Sequence, residues 1–300
     1  MKYNILGKTG MSVSRIAYGG IVSTMGDYTN YTFPGDGQQA SDQYVQLALD
    51  AGINYFDVAP AYGDAREKLG NSLRGNREKI ILACKTLFRD YDSAARDYEQ
   101  SLRLLHTDHF DVYQLHALCN EGDVEKAFAT NGVMRLMEQL RKDGTHIGIT
   151  AHSEGAALKA LSLYDFETLM FPFNWQMNMA VGYGSRVLEE AHRKELGILS
   201  MKSMIERGFR DESERQRWPK SWCKPFDPKT EAGLLLAAIK YSRAMGVDTI
   251  IPAGDIEHFR FALEHENEIW DEPLSSQEKN TLEEHLPCVT DALFMPECDR

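Results

Sequence analysis

Short, almost wholly apolar runs recur along the chain, and each is followed by a longer segment whose apolar residues return every three or four positions. The runs fall at 14–18, 55–57, 80–85, 111–116, 146–150, 169–173, 198–201 and 249–251. A short apolar run bounded by turn residues predicts a strand buried on both faces, and a 3.6-residue period predicts an amphipathic helix. The helices are expected at 41–51, 65–73, 93–105, 132–142, 154–163, 186–194, 230–245 and 256–265. In the first, Tyr44, Leu47, Ala48 and Ala51 carry the period and Ser41 is the expected N-cap. Strict alternation of strand and helix implies a parallel sheet. Eight units in about 260 residues imply a closed (β/α)8 TIM barrel, α/β in class.

The barrel is expected over about 14–266, inside a single domain of residues 1–300. Ahead of it, Gly7-Lys8-Thr9-Gly10 reads as the turn of an N-terminal β-hairpin. Besides a loop after the first strand, two segments break the rhythm. Residues 21–40 read as a loop, with Tyr28, Tyr31 and Phe33 as surface cover. Residues 206–228 form a long, charged stretch after the seventh strand, where a solvated insertion is expected for most of it. Residues 271–300 are a short C-terminal extension with a capped helix at 275–285.

Composition narrows the function classes. The 300 residues carry a formal net charge of −12 with the charges dispersed. That balance disfavours nucleic acid and anionic membrane surfaces as partners, while leaving room for a small anion in a local pocket. No apolar run reaches the ~20 residues that span a bilayer, and the first residues lead into no apolar leader. The five cysteines are scattered without a C-x-x-C pair, so no zinc or iron–sulfur site is expected, and free thiols fit a cytoplasmic protein. No G-x-G-x-x-G follows a strand, which leaves a Rossmann site unsupported. The glycines at 70 and 75 have phosphate-loop spacing, but Asn76-Arg77 replaces the Lys-Ser/Thr pair.

Four polar residues stand at or just past the ends of neighbouring strands: Asp57, Tyr62, Lys85 and His116. Singly, each has a bland reading as a turn cap, a core plug, a solvated strand end or a satisfied core histidine. A barrel gathers neighbouring strand ends at one mouth, where its chemistry sits. A phenol is a poor acid at neutral pH, and a lysine beside it lowers its pKa by favouring the phenolate. An aspartate keeps that lysine charged, and the histidine can donate to a substrate oxygen. The set suits protonation of a developing alkoxide, hence reduction of a carbonyl by hydride.

The stretches GINYFDVAPAYG, ILACKT, DVYQLHAL and GTHIGITAHS, with LGKTGMSVSRIAYGG at the start and TIIPAG near the end, resemble the aldo-keto reductase superfamily. The likeness runs in order over about residues 2–270. It implies a barrel that binds NADPH, or less often NADH, across its C-terminal face. It assigns the family tetrad to Asp57, Tyr62, Lys85 and His116, with tyrosine as general acid and a small-molecule carbonyl as substrate. It also points to His152 and Ser153 for the nicotinamide amide. Met170 stands where a glutamine is usual, with Asn174 nearby. A pyrophosphate loop from Lys202, Ser203 and Met204 to Gly208 follows. After Ile251-Pro252 the family reads a 2′-phosphate with a basic residue, whereas this chain has Ala253, Gly254 and Asp255. Asp255 is either a helix N-cap or an acceptor for a ribose hydroxyl, and the next basic residue is Arg260. Preference between NADP(H) and NAD(H) stays open at this level. An alternative from another class is a cofactor-binding regulatory subunit with this fold and little turnover. A barrel hydrolase or isomerase would need a metal cluster or paired acids that the strand ends lack.

Overall fold

The computed structural model describes residues 1–24 and 37–288. Tyr28, Tyr31 and Phe33, and the tail with Leu293, Phe294 and Met295, lie outside the described residues. Eight parallel strands follow one another around the sheet in chain order: β1 (Tyr18–Gly19), β2 (Tyr55–Asp57), β3 (Ile81–Thr86), β4 (Val112–Leu118), β5 (His146–Ala151), β6 (Thr168–Phe171), β7 (Gly197–Ser200) and β8 (Thr249–Ile250). The sheet closes where Ile16 bridges Ile250, with the Ala17 amide donating to the Ile250 carbonyl at 2.9 Å.

The outer helices are α1 (Gly37–Asp50), α2 (Ala65–Ser72), α3 (Tyr91–Leu104), α4 (Met134–Lys142), α5 (Glu154–Leu163), α6 (Ser185–Arg193), α7 (Ala232–Ala244) and α8 (Ile256–Glu264). The expected (β/α)8 architecture is present. Alternation along each strand divides the apolar residues in two. Phe56, Cys84 and Tyr113 face outward into one core under the helices, while Tyr55, Ala83 and Val112 join Met170, Leu199 and Ile251 in the barrel lumen. The hairpin of Tyr3–Ile5 and Ser12–Ser14 plugs the lumen with Leu6 and Val13, both fully buried.

Several boundaries differ from expectation for physical reasons. Helix α1 starts four residues ahead of Ser41, because its buried face runs Gly37, Ser41, Val45, Ala48 and includes residues too small to register as apolar. Ser41 is therefore no cap; its hydroxyl meets Ser72 Oγ at 3.0 Å. Asp90, whose side chain accepts from the Ser93 amide, starts α3 before the expected 93. Residues 206–228 fold: Ile205–Arg207 pairs antiparallel with Lys224–Pro225, and a helix at Glu212–Arg217 is capped by Asp211. This strap lies over the barrel mouth. The extension helix Ser276–His285 begins with a capping box at Ser275, and His285 reaches Glu206 of the strap at 2.9 Å.

Candidate active site

Asp57 ends β2 and points into the lumen, where both its oxygens accept from the Lys85 ammonium. Lys85 is fully buried and Asp57 nearly so. Burial pushes the Asp57 carboxyl up, and the Lys85 charge pulls it back. Tyr62 stands half-buried on the loop after β2, its carbonyl taking bonds from Thr24 Oγ1 at 2.5 Å and the Ala65 amide at 3.0 Å. Lys85 Nζ lies 5.8 Å from the centre of the Tyr62 ring.

His116 is not the last residue of its strand, as expected, but sits two before the end of β4. A register shift between Leu115 and Leu118 bulges the strand there, with Ala117 at φ +53°. The Ala117 amide donates to Thr150 Oγ1 at 2.7 Å, and Arg89 Nη2 donates to the His116 carbonyl at 2.7 Å. The bulge leaves the imidazole edge-on to Tyr62, ring centres 5.9 Å apart. Burial, with Lys85 and Arg89 adding, holds His116 well below the usual histidine range. It is thus a neutral ring at pH 7, able to donate one N–H. Its Nδ1 is buried with no hydrogen-bond partner among the described residues.

Tyr62, Lys85 and His116 line one cavity of about 250 Å³, with Asp57 behind Lys85. A larger open groove of about 760 Å³ lies between α7 and the extension helix, away from the strand ends, and its Lys240 is paired with Glu278.

Of the residues expected to hold a cofactor, His152, Lys202 and Gly254 line the cavity. His152 is held well below its usual range by burial, with Lys202 and His116 adding, and its Nδ1 is buried without a partner among the described residues. The others have different surroundings. Ser153 caps α5 through the Ala156 amide. Asn174 is fully buried, donating to the Lys202 and Ile205 carbonyls and accepting from the Gln176 and Met177 amides. That fixes the chain after β7 and leaves its amide without a free hydrogen. Ser203 and Met204, within that segment, are fully buried, and Gly208 accepts from Arg207 within the strap. Asp255 caps α8, one oxygen taking the Glu257 and His258 amides at 3.0 Å and the other meeting His258 Nδ1 at 2.5 Å. Arg260 is on the exposed face of α8.

The cavity also has walls that the sequence did not flag: Thr150, Met201, Lys220, Ser221, Trp222 and Cys223. Lys220 donates to the Val22 carbonyl at 2.9 Å, tying the strap across the mouth to the loop after β1. A Cβ on Gly254 would come 2.3 Å from the Lys220 carbonyl, so only glycine lets the strap lie this close. The one hint in the sequence was the aromatic and proline content of 218–225 inside a charged run. Among the described residues no His, Cys, Asp or Glu cluster could hold a metal ion, and no helix is long and apolar enough to cross a membrane.

The aldo/keto reductase family model matches residues 27–219, well over half of the sequence. The chain belongs to the aldo/keto reductase family. Among curated proteins, the aldo-keto reductase YhdN of Bacillus subtilis is 36% identical over 132 residues, 39% of this chain and 38% of that protein. A 6-dehydroglucose reductase of Novosphingobium aromaticivorans is 34% identical over 132 residues, 37% of this chain and 40% of the other. The chain thus spans about two fifths of the length of these relatives. Among solved structures, the holo form of an aldo-keto reductase from Bacillus halodurans aligns over 100% of both chains with a TM-score of 0.67 at 19% identity. One from Klebsiella pneumoniae in complex with NADPH covers 98% of this chain and 99% of its own, with a TM-score of 0.64 at 21% identity. These structural likenesses concern the aldo/keto reductase barrel.

Proposed function

We propose that this aldo/keto reductase reduces an aldehyde or ketone with a nicotinamide cofactor, Tyr62 acting as general acid. The observation that carries the reading is the convergence of Tyr62, Lys85 and His116 on one cavity, with Asp57 holding the lysine from below. A lysine cation near a phenol favours the ionised form, and Lys85 stands 5.8 Å from the Tyr62 ring centre, which suits Tyr62 to the role of proton donor. The neutral His116 donates a hydrogen bond to the carbonyl oxygen, orienting it and stabilising the charge that develops there. Tyr62 then delivers its proton to that oxygen.

The cavity walls fit the cofactor. Besides Lys85 they bring two further cations, Lys202 and Lys220, no carboxylate, and a buried, unpartnered His152 Nδ1 among the described residues. Lys202, Lys220 and Ser221 would hold the anionic part, and His152 and Thr150 the carboxamide. When bound, the reduced nicotinamide supplies the hydride. Burial pushes the Lys220 ammonium down to about 8. Its charge is therefore present below about pH 8 and lost above it. If Lys220 meets the diphosphate, cofactor affinity is flat below that pH and weakens above it by up to about tenfold per unit. Fluorescence titration across that range at fixed ionic strength checks this, with Lys220→Met giving a flat profile. A flat wild-type profile would remove Lys220 from the site.

Asp255 bears on the choice of cofactor. The first amides of α8, an anion-attracting feature, are occupied by the Asp255 carboxylate, and that carboxylate is itself paired with the buried His258. The N-cap reading of Asp255 therefore has support, and the ribose-acceptor reading has less. A 2′-phosphate would meet Asp255 and Glu257 rather than a free cradle. The preference for NADPH over NADH is expected to stay below about a hundredfold, about 2.7 kcal/mol. Glu257→Arg, which keeps the cap, is expected to shift it toward NADPH. Dissociation constants for both cofactors, followed by turnover on a panel of aldehydes and ketones, test the reading. Binding without turnover of any carbonyl would favour the regulatory-subunit alternative.

A further inference from the structure

The lumen directly below the Asp57–Lys85 pair is polar where an apolar filling would be expected. Register pairs Lys85 with Gln114, Gln114 with Gly148 and Gly148 with Thr168, so these residues form one row around the inner wall. Tyr55 lies one inward position before Asp57 on β2. Tyr55, Gln114 and Thr168 are fully buried. The Tyr55 hydroxyl, both ends of the Gln114 amide and the Thr168 hydroxyl have no hydrogen-bond partner among the described residues. A Cβ on Gly148 would lie 2.0 Å from Thr168 Oγ1. The glycine therefore leaves the hydroxyl room to lean toward Gln114.

Burying polar atoms without partners costs stability, because their hydration is lost with nothing in exchange. The lumen beneath is closed with Leu6, Val13, Ala83 and Val112, so apolar side chains fit this interior. A polar layer at this level serves the groups above it. A buried ion pair loses the hydration of both charges, and its mutual attraction balances that loss only when further dipoles surround it. Burial and the Asp57 carboxylate keep the Tyr55 phenol protonated, and Gln114 is near enough to pull the other way. Tyr55 is thus a neutral dipole facing the pair.

We infer that Gln114, with Tyr55 and Thr168 beside it, is a positioning residue: a polar floor that keeps Asp57 and Lys85 both charged, and so keeps Lys85 able to act on Tyr62. This rests on the proposed partnership of Lys85 and Tyr62. The titratable groups that line the cavity with Tyr62 are Lys85, His116, His152, Lys202, Lys220 and Cys223; Asp57 and Tyr55 lie below Lys85, Arg89 is bonded to the His116 carbonyl, and Asp64 follows Tyr62 on the same loop.

Phenolate absorbance tests the floor without turnover. The protein has 13 tyrosines, and subtracting the titration of the matching Tyr62→Phe protein isolates one. Gln114→Met replaces the amide at similar size, and Tyr55→Phe removes a single oxygen. In both, the Tyr62 midpoint is expected to rise by about one pH unit, because a less charged Lys85 favours the phenolate less. Thr168→Ser, which keeps the hydroxyl, is expected to leave it in place. Near-UV circular dichroism confirms folding, and Thr168→Val substitutes for any variant that does not fold. Unmoved midpoints in the folded variants would overturn the inference. So would a wild-type midpoint at the ordinary ~10. A wild type that reduces no carbonyl yet shows these shifts would overturn the functional reading and leave the floor standing.

Discussion

Tyr62→Phe is expected to lower carbonyl turnover by about 10²–10⁴-fold while cofactor affinity stays near that of the wild type. The substitution removes one oxygen from a half-buried ring whose position is fixed by its backbone bonds to Thr24 and Ala65 and by edge contact with His116. The cavity keeps its shape, so the loss reports proton delivery. Single-turnover measurements isolate the chemical step. A variant that keeps more than about a tenth of the wild-type rate in that step would remove Tyr62 as the acid.

Lys85→Met is expected to act on stability and on turnover together. Lys85 is fully buried against Asp57, and removing the ammonium leaves a carboxylate in a low-dielectric lumen. Breaking a buried pair from one side costs about 3–5 kcal/mol. The loss should depend on pH in a definite direction. Without its partner Asp57 retains only the upward push of burial, so in the native state it binds a proton that the unfolded chain has released at the same pH. The variant therefore regains stability relative to wild type as pH falls from neutrality. Denaturant unfolding at two pH values measures this. A second change, Asp57→Leu on top of Lys85→Met, should restore much of the stability and none of the turnover. A Lys85→Met protein as stable as wild type at neutral pH would show that the pair is not the buried unit described.

The barrel was legible because its strands are short, apolar and regularly spaced, and because alternation leaves few topologies open. Asp57 and Lys85 could be placed for the same reason: each is a charge at the end of an apolar run, and such a charge must face the mouth or a partner. His116 was found as a residue but not as a geometry, since the bulge at Ala117 follows from an amide bonded to Thr150 on the next strand. Small and polar residues hid other features. Ser41 belongs to a buried helix face, and Asn174 and Ser153 look like ligand donors in sequence yet bond to the backbone. The strap was obscured by its charge. Glu206, Arg207, Lys224 and Glu214 pair with one another, so residues that read as solvated hold a folded segment over the cavity. Trp222 and Cys223, between those charges, became walls of the cavity. Asp255 shows the reverse case, where capping chemistry legible in sequence was correct for the residue.

The proposed reduction requires hydride and proton to meet at one carbonyl in this cavity. Reduced nicotinamide carrying deuterium at C4 is mixed with the protein and a set of aldehydes and ketones, and the products are examined by mass spectrometry. Deuterium is expected on the carbinol carbon of at least one product, with Tyr62→Phe forming that labelled product about 10²–10⁴-fold more slowly. Cofactor that binds yet transfers no label to any carbonyl, or labelled product formed at an unchanged rate by Tyr62→Phe, would contradict the proposed reduction.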